Sequence, residues 1–122
     1  MHYKRVELKV TNQGIHERKI FQGVKIFNRS KLSKDQKSIL TQKLYLTPKQ
    51  NIVYYQRTDV NYDQNWQHNK DYYELAYDQL DREIVFKVCQ DFDELSPFLE
   101  NELLEKLKEK QSAGKFFEKL DI

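Results

Sequence analysis

Residues 42–57 read Gln42-Lys43-Leu44-Tyr45-Leu46-Thr47-Pro48-Lys49-Gln50-Asn51-Ile52-Val53-Tyr54-Tyr55-Gln56-Arg57. Two β-prone runs, 44–47 and 52–56, flank Thr47-Pro48-Lys49-Gln50-Asn51, a turn written in proline and a closing Asn. That pattern predicts a β-hairpin. It places the hairpin at the centre of an antiparallel sheet.

Upstream of it, Val6, Leu8 and Val10 alternate with Arg5, Glu7 and Lys9, the mark of a half-buried strand. Residues 11–14 form a turn. Residues 18–28 then put Ile20, Val24 and Ile26 on one face and Phe21 and Phe27 on the other. Gly23 interrupts this strand and marks a bulge or a close backbone approach. Residues 29–38 form a polar connector and read as a solvated hairpin loop. The third strand, 39–47, sets Leu40, Leu44 and Leu46 opposite Ile39, Thr41 and Tyr45. The fourth, 52–58, sets Ile52 and Tyr54 opposite Val53, Tyr55 and Arg57.

Downstream, residues 59–71 carry no periodicity, and a loop of that length is either functional or mobile. Tyr73, Leu75 and Tyr77 alternate in a fifth strand, and the apolar run 84–89 supplies a sixth. Helix signals begin only after Gln90. Asp91 followed by Glu94 fits a capping box, and Ser96-Pro97 offers a second start with proline at the first helical position. From there Leu99, Leu103, Leu104 and Leu107 make one apolar stripe, opposite Glu102, Glu105, Lys106 and Glu109. Gly114 ends this helix of about four turns.

The fold class expected is therefore α+β: an antiparallel meander of about six strands with C-terminal helices packed on one face. Apolar residues on both faces of the second and third strands favour a curled sheet, or a dimer that covers the second face.

The 122 residues suit one domain over the whole chain, large enough to fold without cross-links. Cys89 is the sole cysteine, so no internal disulfide forms. Residues 1–5 run straight into a strand pattern rather than a signal peptide, and no run approaches the ~20 apolar residues of a membrane span. The expectation is a cytoplasmic protein, and the abundance of Lys, Asn, Tyr and Ile suggests an AT-rich bacterial source. Charge is lopsided: residues 1–50 hold 12 Lys/Arg against 3 Asp/Glu, and residues 51–122 hold 9 against 16. Such asymmetry gives either a basic binding face or two halves that attract one another.

Chemistry is hard to find in this chain. Cys89 lies in an apolar run with no local signature linking it to His2, His16 or His68, so it reads as a buried, inert thiol. There is no Gly-x-Ser-x-Gly, and three isolated glycines exclude a phosphate-cradling loop. Asp59-x-Asn61-x-Asp63 opens like a calcium loop but places Gln64 where glycine is needed and Lys70 where a bidentate Glu is needed. His68 and Asp71 could join Asp63 at a divalent ion, but three ligands in a loop are a weak signal, and no metal or cofactor is expected. Tyr62, Trp66 and His68 offer stacking surfaces, although such rings more often fold back on their own domain. Arg29, Lys31, Lys34 and Lys37, with Lys43 and Lys49 nearby and Tyr45 and Tyr55 for stacking, are the nucleic-acid candidates. Their plain reading is a solvated charge run.

The chain ends Glu118-Lys119-Leu120-Asp121-Ile122. This resembles the signature of the EXLDI family, small bacterial proteins named for a C-terminal Glu-x-Leu-Asp-Ile, carried here by Glu118, Leu120, Asp121 and Ile122. Phe21-x-Gly23, the Leu44-Tyr45-Leu46-Thr47 strand and the Ile52-Val53 strand extend the resemblance over residues 19–122. The basic connector and residues 61–70 have no counterpart in it. The resemblance implies no activity, since none is assigned to the family. A tail this apolar is expected to dock on its own sheet, with Asp121 meeting a Lys or Arg of the basic half, the alternative being a partner that captures a C-terminal carboxylate.

Three functional readings follow. The first is a non-catalytic interaction domain, with a homodimer through the sheet as the expected partner arrangement. The second is a small-molecule binder or enzyme with a cavity between sheet and helix near Tyr55, Trp66 and His68. The third is a nucleic-acid binder through residues 29–49.

Overall fold

β2, at 18 residues, is twice the length of its neighbours, and it organises the fold. The structure, a computed structural model, describes residues 3–12, 14–60, 84–114 and 116. Within them the order is β1 (Lys4–Asn12), β2 (Ile15–Leu32), β3 (Ser38–Leu46), β4 (Ile52–Val60), β5 (Val85–Cys89), a 3₁₀ turn (Phe92–Leu95) and α1 (Asn101–Ser112). The five strands form one antiparallel meander in sequence order. The α+β class and the antiparallel meander are as the sequence predicts, and of the two arrangements it left open, a curled sheet or a covering dimer, the sheet is curled. The expected strand at 72–77 lies outside the described residues.

At about 3.3 Å per residue, β2 is long enough to serve two partners in succession. Its first half pairs with β1, ending at Lys4↔Gly23, and its second half pairs with β3, starting at Val24↔Leu46. The change of partner falls on Gly23. This residue is buried, and a Cβ placed on it would stand 2.9 Å from the Phe21 ring and 3.4 Å from the Leu46 carbonyl oxygen. Glycine is needed here for close approach, as its mid-strand position suggests.

Just beyond, the register slips between Lys25 and Phe27. This bulge corrects the alternation read from sequence. Ile26 is the extra residue, so Phe27 joins Val24 and Ile26 on one side instead of sharing a face with Phe21. Ile20, expected with Val24 and Ile26, lies in the half of β2 that pairs with β1, and it is 53% exposed.

The bend gives the β3–β4 hairpin cover on both faces. On one side Leu44, Leu46, Ile52, Tyr54 and Cys89 pack with Phe92, Leu95, Leu99, Leu104 and Leu107 from the helical segment. On the other, Tyr45, Val53 and Tyr55 pack with Leu8, and Val6, Val10, Phe21, Ile84 and Phe86 border them. Phe21 meets Tyr45 edge to face at 5.5 Å, and the Tyr55 hydroxyl donates to the Lys9 carbonyl at 2.9 Å. The two-sided apolar strands, which suit either a curl or a dimer, are thus covered by the β1–β2 ribbon closing over the central hairpin.

Two further differences concern boundaries. Residues 29–32, read as loop, continue β2, because they pair with Ile39–Gln42 of β3. The remaining turn repeats the chemistry of the central one. Ser33 and Thr47 each accept a backbone N–H on the side-chain hydroxyl, and Gln36 (φ 60°) and Gln50 (φ 66°) take the left-handed position. The helix also begins later than Ser96-Pro97 suggests. Asp91 and Glu94 form the predicted capping box, but around the 3₁₀ turn, and α1 starts after Glu100. Residues 96–99 form turns whose Phe98 and Leu99 N–H groups both bond to the Leu95 carbonyl.

Gly23→Ala should destabilise the fold by ~1–3 kcal/mol, the usual cost of forcing a methyl into a packed site. Chemical denaturation compares the two proteins, and an unchanged midpoint would show that the bend tolerates a side chain.

Candidate binding groove

The basic residues singled out from sequence occupy two different settings. Arg29 stands opposite Gln42 in the β2–β3 register, and Gln42 stands opposite Gln56 in β3–β4. This row forms a connected polar network on the helix-covered face. Arg29 donates from Nε and Nη2 to Gln42 Oε1 at 2.9 and 2.7 Å. It also grips Glu100 with two bonds, at 2.7 and 3.0 Å. Lys31 adds a third cationic contact to Glu100 at 3.1 Å. The Gln42 amide donates to the Tyr54 hydroxyl at 3.0 Å and to the Phe98 carbonyl at 3.1 Å, and Tyr54 donates to Gln56 at 2.6 Å.

Gln42 is 2% exposed, and its side chain makes four hydrogen bonds. A buried amide is tolerable only on such terms. Arg29 and Lys31 therefore pin the start of α1 to the sheet. Lys34 is exposed in the Ser33–Ser38 turn, where the Lys37 backbone N–H bonds to Asp35. The sequence reading passed over Gln42, although its parity with Leu40, Leu44 and Leu46 placed it on the core face.

Tyr55, the second-reading candidate, is 5% exposed and braces β4 against β1 through its hydroxyl. Burial pushes its phenol above the ordinary value, as it does for Tyr45 and Tyr54. Trp66 and His68 lie outside the described residues, as do Tyr62, Glu118, Leu120, Asp121 and Ile122. Cys89 is buried at the end of β5, and burial, with Glu94 nearby, raises its thiol pKa, which suits an inert group. Among the described residues no group of three or more His, Cys, Asp or Glu stands together to hold a metal ion. No helix among them is long and apolar enough to cross a membrane.

The feature that sequence did not reveal is a groove between the β1–β2 ribbon and the β4–β5 side of the sheet, beside the Thr47–Asn51 turn. Its volume is about 310 Å³. Phe21, Phe86, Ile20 and Val88 line it, the last two each 53% exposed, and Val53 reaches it while only 2% exposed. Arg18 and Lys19 line the ribbon side, and no carboxylate side chain belongs to the lining. The Lys19 ammonium sits 5.7 Å from the Phe86 ring centroid and 2.8 Å from Glu17, while Arg18 pairs with Glu7 at 3.3 Å. A second hollow, also about 310 Å³, lies among Lys9, Thr11, His16, Glu17 and Arg18 toward the ribbon tip.

Comparison with protein-family models, curated proteins and solved structures found no match to this chain.

The Arg29 and Lys31 contacts hold the Glu100 carboxyl well below its ordinary value, at about 2. A depressed carboxylate lends stability that is complete above its unfolded pKa, near 4.5, and is lost as pH falls toward 2. Glu100→Gln should therefore lower the melting temperature at pH 7. The gap to the unsubstituted protein should close steadily below pH 4.5. A gap that stays constant from pH 7 to pH 2 would place the stabilisation elsewhere.

Proposed function

We propose that this chain is a non-catalytic interaction domain that receives its partner in the groove beside Ile20 and Val88. One observation carries the reading. Ile20 and Val88, two of the four large apolar residues left more than half exposed among the described residues, with Ile15 and Leu32, both line a hollow that also takes in Phe21 and Phe86. Concentrated exposed apolar surface with a polar rim is the usual mark of an interaction site.

The position of Tyr55 favours this over a ligand site at Tyr55, because its ring is buried and its hydroxyl is bonded to Lys9. Arg29, only 20% exposed and bonded to both Gln42 and Glu100, is likewise committed to the sheet and leaves less cationic charge for a nucleic acid on residues 29–37. The same reading keeps the protein in a bacterial cytoplasm, with the tail resemblance to the EXLDI family as its lineage and a homodimer as the alternative use of the groove.

Selection from a random displayed-peptide library tests the idea. The unsubstituted chain should enrich a common sequence. The double variant Ile20→Asp, Val88→Asp should enrich none, with stability altered by no more than about 0.5 kcal/mol per exposed site. Equal enrichment by both proteins would remove the groove from consideration, and none by either would overturn the peptide-receiving reading of it.

A further inference from the structure

Resting on the groove as the interaction site, we infer that its occupant is an extended acidic peptide, with apolar side chains at alternate positions and carboxylates between them. The groove is an open trough. A small ligand gains affinity when a pocket buries most of its surface, whereas a peptide can seat a few side chains on Phe21, Phe86 and Val88 and leave the rest in water. An extended chain turns every second side chain the same way, so apolar residues at alternate positions face one floor.

Charge selects the intervening residues. Arg18 and Lys19 line the trough, no carboxylate does, and residues 4–23 carry five Lys/Arg against Glu7 and Glu17. The Arg18–Glu7 and Lys19–Glu17 pairs are solvent-exposed. Exposed pairs hold their members weakly, so both cations remain able to meet a partner's carboxylate. At the far wall the Asn51 side-chain amide meets no hydrogen-bonding partner among the described residues and can serve a peptide backbone. A basic peptide would bring like charge against the ribbon, and that repulsion is what separates one partner from another.

The test titrates the ¹⁵N-labelled full chain at low salt with an end-blocked heptapeptide of alternating Leu and Asp, its Leu/Lys counterpart, and decanoate. The Leu/Asp peptide should shift the amide signals of Ile20, Phe86 and Val88 and bind more than about tenfold tighter than the Leu/Lys peptide. Added salt should weaken it, and Lys19→Glu should narrow or reverse the preference. Equal binding of both peptides overturns the acidic inference and leaves the groove standing. Saturable shifts with decanoate alone replace the peptide with a small amphipathic carboxylate. Shifts that follow protein concentration without any probe assign the groove to a second copy of the chain. Silence at all three amides under every probe, with no such dependence, overturns the groove itself.

Discussion

The architecture depends on the close approach of β2 to the end of β3 at Gly23. A Cβ there would press on the Phe21 ring, so a side chain at the point where the strand changes partners would force that ring to shift. That single vacancy lets one 18-residue strand belong to the β1–β2 ribbon and then to the main sheet. The bulge at Ile26 completes the change by turning Ile26 and Phe27 to the same side. Without the bend, the Tyr45, Val53 and Tyr55 face would lie open to water. With it, that face becomes a second core, closed by Leu8 and Phe21.

The helix-covered face solves a different problem. A glutamine sits among leucines there, and burying an amide costs more than a hydrogen bond returns unless every polar atom is paired. Gln42 is paired by Arg29, Tyr54 and the Phe98 carbonyl, and through Arg29 the network reaches Glu100 at the start of α1. The network fixes where the helical segment docks, a directional task that leucine packing alone performs poorly. It also accounts for the fate of the basic connector. Arg29 and Lys31 are part of β2 and hold the opening of the helix.

The groove follows from the same bend. When the ribbon closes over the sheet, Ile20 and Val88 both border a hollow that neither core fills. The charge asymmetry of the sequence gains a location in this way, since the ribbon wall is drawn from the basic half of the chain.

The sequence by itself determined the local pieces. Alternation in 5–10, 39–47 and 52–58 predicted strands, Thr47–Asn51 its turn, and Asp91 with Glu94 a capping box, because backbone sterics and side-chain period act over a few residues. Gly23 could be read as a bulge or close approach for the same reason. The tertiary structure alone decided which faces those pieces presented. Phe27 changed side because a bulge alters parity, and Gln42 became core because Arg29 and Glu100, 71 residues apart, meet above it. Ser96-Pro97 lost the helix start to Glu100, where the sheet's polar row takes hold of the chain. The groove needed both ribbon and sheet in place, since its lining comes from β2 on one side and from β4 and β5 on the other. Long-range contacts of this kind leave no local period, and so they appear only in the folded chain.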